Sequence, residues 1–317
     1  MDNPIRSRRE VLAGMGVAGA MGLAGCSGGS GSGGGDGSSS DDGSSGSSES
    51  GSDQVNAAWV IQGPVGDLGW NFAHDDARQI VDENNDWVNT EVSTEVAVSD
   101  AVQTMSQYAD DGFDVVFGST FSYQDQIVEA SENNPDTLFE HCAGYETSDN
   151  LSRYFGRITE PRFVSGVAAG MLTETNTIGF VGAFPTPQVI RGLNSVMMGV
   201  RQVNEDATMK VRWVNSWNDP PTARESATVL IEEGADVMTQ HMNSAAPVQA
   251  AHSEGVWAVG FNAPMQRFAE EDYVISPVWG WDAYYSQVLQ DIRDGNWEPG
   301  FTWGGLDSGM VGLDEWG

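Results

Sequence analysis

Five short segments of the sequence set aromatic rings beside carboxylates, amides or hydroxyls. They are Gly66-Asp67-Leu68-Gly69-Trp70-Asn71, Gly118-Ser119-Thr120-Phe121-Ser122-Tyr123, Asn215-Ser216-Trp217-Asn218-Asp219-Pro220, Phe261-Asn262 and Ser276-Pro277-Val278-Trp279-Gly280-Trp281. A flat heteroaromatic ligand needs that combination: its faces stack on rings, and its edge donors and acceptors must be paired once water leaves. Each residue also has a purely structural reading. Any one of Trp70, Trp217, Trp279 or Trp281 alone is more often core than platform, and Asp67 and Asp219 can simply cap helices, with Pro220 at a good first helical position. The shared placement favours a site, because core indoles scatter over strand and helix interiors, as Trp59 and Trp213 are expected to do.

Catalytic and metal chemistry find less support. No P-loop, HExxH or, outside the glycine-rich tract near residue 30, G-x-S-x-G elbow occurs. His74-Asp75-Asp76 has metal-ligand residue types, but acids early in a helix complement its dipole without a metal. Cys142, after Phe139-Glu140-His141, reads as a small buried thiol. No catalytic residue, metal ligand or cofactor is therefore assigned, and an enzyme acting on a small metabolite is the weakest of the functional readings.

The five segments must be held at strand ends. Apolar runs at Ala57–Gln62, Glu91–Val98, Asp114–Gly118 and Thr137–His141 alternate with helical stretches at Asn71–Asn84 and from Asp100, which is placed as a cap. A second set follows: helices near Arg162–Thr173, Gln188–Asn204, Ala223–Glu233 and Ala246–Glu254, with strands Thr177–Val181, Lys210–Val214, Asp236–Gln240 and Val256–Gly260. Strand Tyr273–Ser276 and helix Ala283–Asp294 close the chain. Such alternation predicts an α/β protein of two doubly wound lobes, with ligand contacts at the carboxyl ends of the strands and between the lobes.

The N-terminus reads as an address. Ser7-Arg8-Arg9-Glu10-Val11-Leu12 ahead of a short Gly/Ala-rich apolar stretch resembles a twin-arginine export signal, and Leu23-Ala24-Gly25-Cys26 resembles a lipobox that would make Cys26 the lipid-bearing first residue. Residues 1–26 are thus assigned to the signal and 27–53, almost wholly Gly, Ser and acids, to a disordered linker. The expected location is the outer face of the cytoplasmic membrane. Fourteen Lys+Arg against 46 Asp+Glu over 317 residues give a net charge of −32, which disfavours nucleic acid as a partner. From Gln54 onward 39 acids face 11 bases, a net of −28. Acids spread through the folded part read as a halophilic surface.

Asp67-Leu68-Gly69-Trp70-Asn71, Asn150–Gly170, Ile178-Gly179-Phe180-Val181-Gly182, Val211–Asp219, Gly234-Ala235-Asp236-Val237 and Val259-Gly260-Phe261-Asn262 together resemble the basic membrane protein (BMP) lipoproteins, in order from about Asn56 to Asp307. These are substrate-binding components of ABC importers and include purine nucleoside receptors. The resemblance implies a type I periplasmic-binding-protein fold joined by a three-crossover hinge. Residues 54–157 plus about 262–296 would form lobe 1, and 158–261 plus about 297–317 lobe 2. It also implies an ABC permease and its ATPase as partners and a purine, base or nucleoside, as ligand. Trp70 would stack on the base, Asn71 would hydrogen-bond it with Asp67 nearby, and Ser119, Thr120 and Phe121 would close the pocket. Trp217 would face Trp70 from the second lobe, with Asp219, Asn262, Trp279 and Trp281 completing the walls. Nucleoside-binding members commonly carry an aspartate at the position of Asn262 and a lysine near Trp279; neither charge is present, which makes the free nucleobase a candidate. A sensor of the same fold that does not transport is the alternative.

Overall fold

The computed structural model describes residues 54–317; the expected signal, the linker and Cys26 lie outside the described residues. Two all-parallel sheets carry the chain. The first contains β1 (Val55–Val60), β2 (Val88–Ser93), β3 (Val115–Gly118), β4 (Leu138–Cys142), β5 (Leu151–Gly156) and β12 (Phe301–Gly304), in the order β12-β5-β4-β3-β1-β2. The second contains β6 (Thr177–Gly182), β7 (Thr208–Trp213), β8 (Val237–His241), β9 (Trp257–Val259) and β10 (Tyr273–Ile275), in the order β10-β9-β8-β6-β7. Each sheet thus has its second strand at one edge and its first strand beside its third. This doubly wound order places the switch point between β1 and β3 in one lobe and between β6 and β8 in the other.

Burial explains the order. Interior strands such as β1 and β3 are apolar on both faces, whereas the edge strands β2 and β7 carry polar side chains. Along β1 the two faces separate with period two. Ala57, Trp59 and Ile61 pack with α1 (Trp70–Asn84) and α8 (Trp281–Arg293). Ala58 and Val60 pack with α2 (Ala101–Asp110) and α3 (Gln124–Asn133). In the second lobe α4 (Thr159–Leu172) and α5 (Pro187–Val203) cover one face, and α6 (Pro220–Glu232) and α7 (Ala246–Ser253) the other. The α4–α5 pair approaches so closely that a Cβ at Gly166 would strike the Val196 carbonyl oxygen, and one at Gly199 that of Phe163.

The chain passes between the sheets three times: at Arg157–Ile158, through β11 (Pro277–Trp279), and after β12. The return strand β13 (Val311–Leu313) pairs antiparallel with β11. Arg157 ties two crossings together, its Nη2 lying 2.7 Å from Asp307 Oδ1 and its Nη1 donating to the Trp303 carbonyl at 2.6 Å.

The sheets move two of the expected lobe boundaries. Residues 262–275 stay with the second lobe, because β10 pairs with β9 and Met265, Ala269 and Tyr273 join its core. Residues 301–304 join the first, because β12 pairs with β5. The strand expected at Glu91–Val98 is β2 at Val88–Ser93, where pairing of Val55 with Val88 through Val60 with Ser93 fixes it. Asp100 stands at the α2 N-cap position without a side-chain cap bond; its carboxylate takes the Ser99 hydroxyl instead.

Candidate functional site

The loop leaving β1 is shaped by Asp67, whose Oδ1 accepts the Gly69 N–H at 2.8 Å, and by Leu68, which adopts a left-handed φ of 57°. Burial raises the Asp67 carboxyl above its usual range. Leu68 packs on the second lobe's core, and a Cβ at Gly69 would run into Asn243. The β1–α1 loop therefore lies directly on the opposite lobe. Trp70 follows as the first residue of α1, and its indole Nε1 donates to the Ser119 carbonyl at 2.8 Å. That bond fixes the ring across the β1/β3 switch point. The half-buried indole stands edge-on to His74 (4.9 Å, 72°) and to Trp279 (5.0 Å, 84°).

The second lobe presents Trp217, 40% exposed, beside Phe184 at 5.3 Å and His241 at 6.1 Å. Asn243 joins the halves. Its backbone N–H donates to the Trp217 carbonyl at 2.9 Å, and its Oδ1 accepts the Trp70 backbone N–H at 3.2 Å and the Asn262 amide at 3.2 Å. Asn218 Nδ2 also reaches Asp67 Oδ2 across the lobes at 3.4 Å. Asn262 accepts the Trp279 Nε1–H at 2.9 Å. Among the described residues no ring contact joins Trp70 to Trp217 directly. A chain of rings connects them: Trp217, His241, Phe261, Trp279 and Trp70, with successive centroids 4.4–6.3 Å apart.

Five of the six non-glycine residues with positive φ, namely Leu68, Glu95, Ala143, Asn215 and Asn262, follow strands on this carboxyl-end side. Backbone held in a sparsely populated region clusters at functional sites. The surrounding contacts therefore define a place where the fold tolerates local cost.

The profile of a family described as PnrA-like substrate-binding proteins of ABC transporters, the Bmp family, matches residues 54–316. The chain belongs to the Bmp family. Of its relatives, a Haloferax volcanii protein named as an ABC transporter glucose-binding protein is 53% identical over 84% of this chain and 68% of its own length. A purine-binding protein of Brucella abortus is 37% identical over 82% of this chain and 75% of its own. Among solved structures, a solute-binding protein of an ABC transporter system from Conexibacter woesei superposes with a TM-score of 0.73 at 19% identity, covering 83% of this chain and 88% of that one. This Bmp-family chain is a substrate-binding protein of an ABC transporter with the periplasmic-binding-protein fold, and such proteins are extracytoplasmic. No helix among its described residues is long and apolar enough to cross a membrane.

Several expected site residues of this Bmp-family protein sit elsewhere. Trp281 is wholly buried, layered between Trp279 (4.8 Å, 8°) and His74 (5.1 Å, 4°), so it backs the wall and cannot face a ligand. Trp279 itself is nearly buried. The Asp219 carboxylate caps α6, accepting the Thr222 N–H at 3.1 Å and its hydroxyl at 2.8 Å. Phe121 is 59% exposed and turns toward Tyr145 at 6.1 Å. The Thr120 hydroxyl accepts the Ser122 N–H, capping a short turn. Ser119 is fully buried, and its hydroxyl has no partner among the described residues. Asn71 is half-buried, close enough to Gly63 that a Cβ there would be 2.5 Å from its Nδ2.

Sequence reasoning missed Asn243, His241 and Phe184. The strand-end rule that selected the other loops applies to them too, but Met242-Asn243-Ser244 carries no large ring to draw notice. His74, read beside Asp75 and Asp76, is a core residue: Tyr285 Oη lies 2.5 Å from its Nδ1, and burial pushes its pKa down to about 3. Asp75 holds Arg78 and Gln79. Cys142 is buried and free, and burial pushes its thiol up.

Proposed function

We propose that this protein is a lipid-anchored receptor that captures a purine, base or nucleoside, between its lobes and presents it to an ABC permease and its ATPase. One observation carries the reading. An indole fixed on the first lobe by Ser119 and a partly exposed indole on the second are borne by loops that share a single residue, Asn243. Trp70 and Trp217 supply stacking faces, Asp67 and Asn71 supply edge contacts, and Ser119 closes the pocket from behind by holding the Trp70 indole. Asn262 and Trp279 brace the wall. Ligand favours the closed form only by what it touches there, and contacts divided between two lobes meet that requirement. The Brucella relative's name supports the purine reading.

The name of the Haloferax relative favours a second reading, a hexose, since rings also stack on the apolar faces of sugars. Calorimetric titration in high salt with adenine, guanine, adenosine, guanosine, ribose and glucose separates the two. Heat with at least one purine and none with glucose is expected. Heat with glucose alone, or with none of the purines, removes the purine assignment. Lipidation at Cys26, exported by the twin-arginine route, is tested by Cys26→Ser, which should release the protein from the membrane fraction.

A further inference from the structure

Beneath Trp217, the second lobe buries a cation without a carboxylate. Arg162 of α4 is 2% exposed, and no described acid contacts it. Its guanidinium lies 3.7 Å over the Phe261 ring, donates from Nη1 to the Gln240 carbonyl at 3.2 Å, and places Nη2 3.1 Å from His241 Nδ1. Gly192 of α5 makes room for it, since a Cβ there would come 3.0 Å from Nε. Burying an unpaired cation is costly, and an apolar side chain would fill the same volume at less cost. What Arg162 achieves instead is to define one imidazole.

A guanidinium has only donors, so the nitrogen it meets must carry the lone pair. Nδ1 of His241 is thus the acceptor, and the ring proton resides on Nε2, at the opposite edge. His241 is the last residue of β8, paired with Gly182 of β6 at the second sheet's switch point, where this topology places ligands. Its ring neighbours Trp217, and among the described residues none accepts a hydrogen bond from Nε2.

We propose that His241 is the second lobe's donor to the ligand, locked by Arg162 as the Nε2–H tautomer, and that it selects a ligand edge presenting an acceptor, a heterocyclic ring nitrogen or a carbonyl oxygen. This deepens the purine reading and rests on it for the identity of the ligand. Burial and the Arg162 charge together push the His241 pKa well below its usual value, so the donor does not titrate in the physiological range.

Long-range ¹H–¹⁵N correlation spectra of the full chain labelled at histidine nitrogen test the tautomer without ligand. The expected result is a protonated Nε2 and an unprotonated Nδ1, unchanged from pH 5 to pH 8. A protonated Nδ1, or titration in that range, overturns the proposal. Adding adenine or guanine should shift the Nε2 resonance, and His241→Phe should weaken binding at least tenfold, with His241→Gln, which keeps an N–H donor, recovering part of it. An unmoved Nε2 while indole fluorescence reports purine binding, or full affinity in His241→Phe, also overturns it. If no purine binds, the same resonance is followed with glucose. A shift then sinks the purine reading and supports the donor role, whereas glucose binding without a shift sinks both.

Discussion

Asn243 donates to one indole-bearing loop through its backbone and accepts from the other through Oδ1, so the two jobs can be separated. Asn243→Asp keeps the acceptor oxygens, while Asn243→Ala removes the tie to Trp70 and leaves the backbone bond. Calorimetry should find the alanine variant at least tenfold weaker for ligand and the aspartate variant closer to wild type. Trp70→Ala and Trp217→Ala should each weaken purine binding by about 1–3 kcal/mol if the rings stack on the base. Their ligand-free melting temperatures separate site from core: Trp217→Ala should melt near wild type because its ring is partly exposed, whereas Trp70→Ala should lose some stability with its contacts to His74 and Trp279. At this scale the sequence was only partly readable. Asp67, Trp70 and Trp217 stand out because ring and polar types are adjacent in the chain. Trp281 looks identical in sequence, yet the turn into α8 drops it into the core beside His74. Asn243 and His241 acquire meaning only through partners far away in the chain.

Among the elements, β4 carries an unexpected burden. Glu140 is buried in the first lobe, accepting from Tyr284 Oη at 2.7 Å and Trp297 Nε1 at 2.8 Å beside a cavity of about 140 Å³ that Asp291 and Glu298 also line. Burial raises its pKa to about 7, against 4.5 for an ordinary glutamate, and the two hydrogen bonds only partly offset this. A folded-state pKa raised above the unfolded value means that the contribution to stability is complete below pH 4.5 and is lost as pH rises through about 7. Glu140→Gln should therefore flatten the stability profile between those limits and make the protein more stable than wild type at pH 8. Urea melts at pH 5 and pH 8 check this; an unchanged slope would place the titration elsewhere. The elements themselves were legible wherever they are buried on both faces, as β1 and β3 are, because continuous apolar runs mark them. β12 was not, since Phe301 and Trp303 are exposed and its identity as a strand depends on pairing with β5, nearly 150 residues earlier.

At the level of the whole molecule, two sheets share the same winding, and three thin crossings join them. The doubling was visible in the strand and helix alternation. The boundaries at the hinge were not, because β11, β12 and β13 are short and take their places from pairing rather than composition, and β10, though legible as a strand, is set in the second lobe by its pairing with β9. A net charge of −28 on residues 54–317 places like charges over a structure with few ion pairs to offset them. Screening that repulsion should stabilise the fold, so the melting temperature should climb as KCl is raised from about 0.1 to 2 M, most steeply at the low end, where the Debye length of roughly 10 Å shrinks fastest. A flat or falling curve would contradict the halophilic reading. Whether indoles from opposite lobes clasp a planar heterocycle is decided by a crystal structure of the protein with the tightest-binding purine from the titration panel. Density for the base is expected between the Trp70 and Trp217 rings, its edge within hydrogen-bond reach of the second lobe. Purine density outside that gap, or a gap closed by the two rings against each other while ligand sits elsewhere, would contradict it.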